Sequence, residues 1–166
     1  MSKSSGPVRI VGIISIIFGV VALVGGIVTW ATVTSQLSAE NITVPKDAAM
    51  LAGAKVQDPF TAYAQAETIN KHAMAASGGK TFAELGAMIT EARNAGDTAK
   101  ADELQATRTT VMNASFLRAS LFTSVLAYGV SLLVIGLGLM FGLVGWALLS
   151  LAKPAEDATL AADATA

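Results

Sequence analysis

The residue types that carry most enzymatic and metal chemistry are scarce in this sequence. The 166 residues include a single histidine, His72, and no cysteine. Because a protein metal site needs several convergent ligands, the sequence predicts no metal site, and it indicates no other cofactor. His72 is therefore interpreted as a surface or interface histidine.

The acidic residues fit a structural role better than a catalytic one. Asp97, Asp102 and Glu103 lie close together in the sequence, but they also stand where a helix should begin. Carboxylates near a helix N-terminus interact favourably with the helix dipole. The sequence also lacks a nucleophile elbow, a phosphate-binding glycine loop and a serine with a histidine base. No catalytic residue is predicted, and the chain is interpreted as not an enzyme.

Small residues form the clearest pattern, in two rows with spacings of three, four and seven. The first row is Gly12, Ser15, Gly19, Ala22 and Gly26, and the second is Ser124, Ser131, Gly138, Gly142 and Gly145. Close backbone approach is what favours helix contact in a bilayer. Two interpretations stay open: the two helices pair with each other, or part of the small face docks on a larger membrane complex.

Both rows lie in apolar runs that are long enough to cross a membrane. Residues 10–33 and 119–151 contain no charged side chain, and each run exceeds the roughly 20 residues that a bilayer core requires. Intramembrane ionisable groups usually mark ion or proton paths, so their absence is evidence against a transporter or pump subunit. Trp30 and Trp146, near opposite ends of their runs, are predicted membrane-interface residues.

The topology depends on the N-terminal charges. The first run could be a cleaved signal peptide or an uncleaved anchor, and its length and Trp30 favour the anchor. Lys3 and Arg9 resist translocation, so residues 1–9 are predicted to be a cytoplasmic tail of a multi-pass plasma-membrane protein. The second helix then returns to the cytoplasm, where residues 152–166 are expected to form a flexible tail.

Residues 34–118 are predicted to form a periplasmic helical domain between the two membrane helices. An extended lead-in is expected over residues 35–56. Asp58 and Pro59 then open a helix that ends before Gly78, because aspartate caps free amides and proline suits the first helical position. Within this helix, Glu67 and Lys71 have the spacing of a favourable pair.

Two more helices are predicted after the first. Thr81 and Glu84 form a capping box, and Asp97 caps the last helix. The predicted inward faces are Phe82, Leu85, Ile89 and Ala92 on one helix, and Ala101, Leu104, Arg108, Val111 and Ser115 on the other. No proline or glycine interrupts residues 97–128, so the second transmembrane helix is predicted to be continuous with the last external helix. The fold class is thus an all-α membrane protein.

Aromatic residues mark a candidate contact surface outside the membrane. Phe60 and Tyr63 flank the start of the first external helix. Aromatic side chains dominate interface energetics, so they could anchor in a partner's pocket. They could also pack on the other two external helices.

The composition suits a membrane protein. Charged residues make up only 14% of the chain, and the net charge is −1, compared with about 25% charged residues in typical soluble domains. This balance gives no electrostatic case for nucleic-acid binding. Membrane lipids are expected partners.

The segments VQDPFTAYAQAETINKHAMAASGGKTFAELG (residues 56–86) and LRASLFTSVLAYGV resemble a family of small actinobacterial two-helix membrane proteins. Members are often labelled aromatic ring-opening dioxygenases, but that chemistry would need two histidines and a carboxylate around iron. One branch is similar to the respiratory supercomplex association factors, which are accessory subunits of the cytochrome bcc–aa3 oxidase supercomplex. The resemblance implies a non-catalytic subunit whose partners are bcc and aa3 subunits. The alternative is a stand-alone envelope sensor or binding module.

Overall fold

The computed structural model describes residues 6–152, and these residues form four helices. The helices are α1 (Gly6–Ala39), α2 (Pro59–Ala76), α3 (Phe82–Asn94) and α4 (Thr98–Leu151). The only β-type pairing among the described residues is an isolated bridge between Thr43 and Lys55. The all-helical class is therefore confirmed. Of the tails predicted at 1–9 and 152–166, residues 1–5 and 153–166 lie outside the described residues, whereas residues 6–9 belong to α1.

The chain divides into two compact units. The helix-pair unit comprises the described parts of Met1–Trp30 and Val130–Ala166, and the central unit is Ala31–Gly129. Segments of α1 and α4 contribute to both units. The central unit also contains α2, α3 and the loop of residues 40–58 that joins α1 to α2.

The irregular lead-in predicted for residues 35–56 begins later than expected, and it is compact rather than extended. Helix α1 continues to Ala39, because no proline or glycine stops it after Gly26. The loop that follows then folds back on itself, with the Val44 amide donating to Ala54 at 2.9 Å and the Val56 amide donating to Ile42 at 3.0 Å. Val44 and Val56 are fully buried, so this loop is a packed part of the central unit.

The predicted helix starts are confirmed. The Asp58 carboxylate accepts from the amides of Phe60 and Thr61 at 2.9 and 3.0 Å. The Glu84 amide donates to the Thr81 hydroxyl at 3.3 Å, while the Glu84 carboxylate accepts from the Thr81 amide at 2.8 Å. Each of these side chains satisfies amides that the first turn of a helix leaves without partners.

Asp97 caps α4 as predicted, since its carboxylate accepts from the Lys100 amide at 2.9 Å. The helix then runs without a break to Leu151. Thr109 and Thr110 are accommodated within it because their hydroxyls donate to carbonyls one turn earlier. The expected continuity of this helix is confirmed.

Residues of α3 and the first half of α4 form the main apolar cluster of the central unit. Its buried members are Leu85, Ile89, Ala101, Leu104 and Val111. All five belong to the predicted inward faces. Phe82, also predicted to face inward, remains 38% exposed. Its ring stacks on the Arg108 guanidinium, 3.8 Å from the ring centroid.

Candidate helix-packing and partner-binding surfaces

In the helix-pair unit, α1 and α4 run antiparallel and meet along small residues. Gly12 lies against Gly145, since a Cβ atom added at Gly145 would lie 2.6 Å from the Gly12 carbonyl oxygen. At the other end, a Cβ atom at Gly26 would lie 3.0 Å from the Ser131 carbonyl oxygen. The structure thus brings these four predicted packing residues together in two backbone contacts.

The centre of this contact is the tightest. A Cβ atom at Gly138 would lie 2.7 Å from the Leu23 amide nitrogen and 2.8 Å from the Gly19 carbonyl oxygen. A Cβ atom at Gly19 would lie 2.7 Å from the Gly142 nitrogen. Because the obstructing atoms are backbone, no side-chain movement can relieve such overlaps. We call the contact formed by Gly12, Gly19, Gly26, Ser131, Gly138 and Gly145 the glycine seam.

The remaining small residues lie beside the seam. Ser15, Ala22 and Gly142 are half-buried in the helix-pair unit. A Cβ atom added at Gly142 would meet nothing within 4 Å, so this position contributes its backbone as a surface for Gly19 but has room for a larger residue. Ser124, in the central unit, is half-buried and donates to the Ser120 carbonyl at 3.3 Å.

The outer surfaces of the two helices are apolar and exposed. Both helices are long and apolar enough to cross a membrane, yet only 17% of the apolar window of α1 and 11% of that of α4 is buried. A core helix of a soluble protein would be mostly buried. Large exposed apolar surfaces mark contact with lipid or with other proteins.

The two tryptophans lie near opposite ends of the helix pair. Trp146 follows Gly145, which faces Gly12, and Trp30 lies eighteen residues after Gly12 on α1. At 1.5 Å per residue, the two tryptophans are separated along the helix axis by about 27 Å. This separation is close to the ~30 Å thickness of a hydrocarbon core. Trp146 is 67% exposed, and Trp30 is half-buried.

The aromatic residues at the start of α2 point in different directions. Phe60 is 73% exposed and Tyr63 is 44% exposed. The Tyr63 ring packs edge-on against Phe122 of α4, with centroids 6.0 Å apart. Tyr63 therefore packs on the last helix, as one of the two interpretations expects, while Phe60 remains available to another molecule.

A buried tyrosine on α4 was missed by the sequence analysis. Tyr128 donates its phenolic proton to the Gln57 carbonyl at 3.0 Å. Its oxygen also lies 2.8 Å from the Thr34 hydroxyl, which donates because the phenol has only one proton. Tyr128 thus connects α4 to α1 and to the loop. The signal was available, because a tyrosine within an uncharged run needs a hydrogen-bond partner.

His72 belongs to an exposed polar cluster. Its Nε2 donates to the Asp47 carboxylate at 2.8 Å, and Lys71 lies 3.2 Å from the same oxygen. Hydrogen bonds from His72 and then Lys71 lower the pKa of the Asp47 carboxyl from 3.8 to about 2. The sequence predicted that Lys71 pairs with Glu67. In the structure Lys71 pairs with Asp47 instead, because the loop places this carboxylate beside it. Glu67 lies instead 3.8 Å from Arg118.

This cluster offers few metal ligands. It contains one histidine and one carboxylate, and no group of three or more candidate ligands occurs within residues 6–152. The physical effect of the cluster is to attach the loop to α2.

These elements define an all-helical protein with two helices that are long and apolar enough to cross a membrane. Comparison of the chain with protein-family models, curated proteins and solved structures gave no match.

Proposed function

We propose that this chain is a non-catalytic accessory subunit that stabilises or helps to assemble an actinobacterial respiratory cytochrome bcc–aa3 oxidase supercomplex. The observation that carries the subunit role is the 73% exposure of Phe60. An aromatic side chain left in solvent gains free energy when a partner covers it. A sensor would instead enclose such a residue in a pocket of its own. The particular complex is suggested by the resemblance of residues 56–86.

The helix pair serves as the membrane anchor in this proposal. Its apolar outer surfaces would face lipid or partner helices, and the tryptophan separation of about 27 Å suits a bilayer. Both termini would be cytoplasmic and the central unit periplasmic. A reporter fused after Lys153 should be active only in the cytoplasm, and periplasmic activity would contradict this topology.

Affinity purification of the chain from actinobacterial membranes in mild detergent tests the proposed partner. The account predicts that cytochrome bcc and aa3 subunits are recovered together with haem, seen in a reduced-minus-oxidised difference spectrum. Haem-free material without partners would overturn the supercomplex assignment. Replacing Phe60 by serine should reduce the recovered haem, whereas replacing the exposed Glu91 by serine should not.

One observation favours the second candidate, an envelope-binding module. An open groove of ≈ 380 Å³ lies between α2 and α4 and is lined by Ile69, Ala73, Leu117 and His72, among others. Its walls are mostly apolar, as in many small-molecule sites. A ligand-dependent rise in unfolding temperature of the isolated chain, with no recovery of haem, would favour this function over the first.

A further inference from the structure

The guanidinium of Arg118 has hydrogen-bonding capacity that the fold does not use. Its Nε is buried, and no described residue accepts a hydrogen bond from it. Its Nη2 lies 3.8 Å from the Glu67 carboxylate, which is beyond hydrogen-bond distance. A buried donor without an acceptor costs free energy, and more so when it belongs to a charged group. The arrangement therefore favours an additional anion.

Arg118 lines a cavity together with one further potential donor, Asn70. The hydroxyl protons of Ser115 and Thr81 are donated to the Val111 carbonyl and to the Glu84 carboxylate. The cavity has a volume of ≈ 170 Å³, and its polar lining includes Asn70, Thr81 and Ser115 in addition to Arg118. This is room for several water molecules or one phosphate-sized anion. Thr81 is the N-cap of α3, so the positive end of that helix dipole borders the same space. Two carboxylates lie nearby: Glu67, 3.8 Å from the Arg118 guanidinium, and Glu84, which accepts from the amide and the hydroxyl of Thr81 at 2.8 and 2.7 Å.

The sequence and the neighbouring rings favour a lipid as the source of that anion. Arg118 is the last charged residue before the uncharged run at 119–151. The ring of Phe122, one turn further along α4, lies 5.7 Å from the guanidinium, and Tyr63 packs on that ring. An arginine bordered by aromatic rings at the start of a membrane segment is typical of the headgroup level of a bilayer.

We propose that Arg118, with Asn70, binds the phosphate group of an anionic phospholipid. This inference rests on the membrane anchoring in the proposed function, but it does not require the respiratory partners. Arginine suits the role because its planar fork can donate two parallel hydrogen bonds to phosphate oxygens.

Native mass spectrometry of the full chain in detergent tests the site, with phosphatidylglycerol and phosphatidylcholine of identical acyl chains as probes. The wild-type chain should retain phosphatidylglycerol preferentially. Arg118→Gln should lower that retention about tenfold, since it removes charge-assisted hydrogen bonds to phosphate. Arg93→Gln, which removes an exposed charge on α3, is the matched control and should leave retention unchanged.

Glu67→Gln separates lipid binding from a purely structural ion pair. If Arg118 binds phosphate, removing the competing carboxylate should increase phosphatidylglycerol retention. If Arg118 only pairs with Glu67, both variants should destabilise the fold alike and neither should change lipid preference, which would overturn the proposal. Equal loss of retention in Arg93→Gln would also overturn it, since bulk charge would then suffice. Should Arg118→Gln fail to fold, the Glu67→Gln result still decides.

The source of the phosphate is tested with inorganic phosphate alone. A lipid site predicts that millimolar phosphate neither displaces phosphatidylglycerol nor raises the unfolding temperature of delipidated protein. Displacement and stabilisation that both depend on Arg118 would assign the same site to free phosphate. Because these measurements use the isolated chain, they can fail while the supercomplex assignment holds, and the reverse is also true.

Discussion

At the residue scale, Tyr128 holds three segments of the central unit together. Its hydroxyl is hydrogen-bonded to Thr34 of α1 and to Gln57 of the loop, and its side chain is fully buried. A buried hydroxyl with satisfied partners stabilises a fold modestly, but its removal leaves those partners unsatisfied. We therefore expect the structure to be sensitive to the loss of this one oxygen.

Tyr128→Phe should lower the free energy of unfolding by about 1–2 kcal/mol, because the Gln57 carbonyl and the Thr34 hydroxyl lose their partner. Tyr63→Phe is the matched control, since Tyr63 is 44% exposed and its change should cost less than about 0.5 kcal/mol. Chemical unfolding of the full chain in detergent micelles measures both values. Equal stability of the two variants would contradict the structural role of Tyr128.

The Asp47 cluster predicts a pH dependence at the attachment of the loop. Because the pKa of Asp47 is lowered to about 2, its stabilising contribution is complete above about pH 4 and is lost as the pH falls through the lowered value. His72→Ala should raise this pKa towards 3.8, since the His72 hydrogen bond is the largest cause of the shift. Lys71→Ala should raise it less.

The titration of the Asp47 carboxyl carbon, followed by NMR spectroscopy, checks this order. An unchanged midpoint in the His72→Ala variant would show that the hydrogen bond does not hold the carboxylate. A larger shift in Lys71→Ala than in His72→Ala would reverse the assigned causes.

At the scale of the helices, local signals predicted what local interactions determine. The starts of α2, α3 and α4 follow from Asp58, Thr81 and Asp97, whose side chains act within three residues. The packed face of α3 followed from the spacing of its apolar residues. Contacts between distant segments could not be predicted in this way. Asp47 and His72 are hydrogen-bonded although they are 25 positions apart in the sequence, and no local sequence pattern at either residue predicts this contact.

For the candidate surfaces too, the sequence predicted local features but not the contacts between distant segments. The two small-residue rows indicated a close helix contact, but not which positions the backbone of the other helix obstructs. Gly138 and Gly142 form one GxxxG motif in the sequence, yet only Gly138 has no room for a Cβ atom. Nothing in the sequence around Arg118 indicates that its Nε is left without an acceptor, because that depends on how α2 and α4 pack.

The glycine seam makes a position-specific prediction. Gly138→Ala should lower the free energy of unfolding in micelles by about 1–3 kcal/mol, because its Cβ atom would overlap the backbone of Leu23 and Gly19. Gly136→Ala is the matched control, because a Cβ atom there meets nothing within 4 Å. Alanine also has the higher helix propensity, so the control should be neutral or slightly stabilising. Equal effects at both positions would count against close packing at the seam.

At the scale of the whole molecule, polar and apolar interactions are divided between the two units. Every ion pair among the described residues lies in the central unit, while the helix-pair unit has an exposed apolar surface and an interior of small residues. This division suits a membrane anchor joined to a polar domain. The exposed Phe60 lies in that polar domain, where the proposed subunit role requires a contact surface.

Photo-crosslinking at position 60 in native membranes tests the proposed subunit role most directly. A photoreactive phenylalanine analogue in place of Phe60 should form a covalent adduct with a cytochrome bcc or aa3 subunit, identified by mass spectrometry. The same analogue in place of the exposed Glu91 on α3 is the control and should give little adduct. Adducts restricted to lipid or to the chain itself would contradict the subunit account.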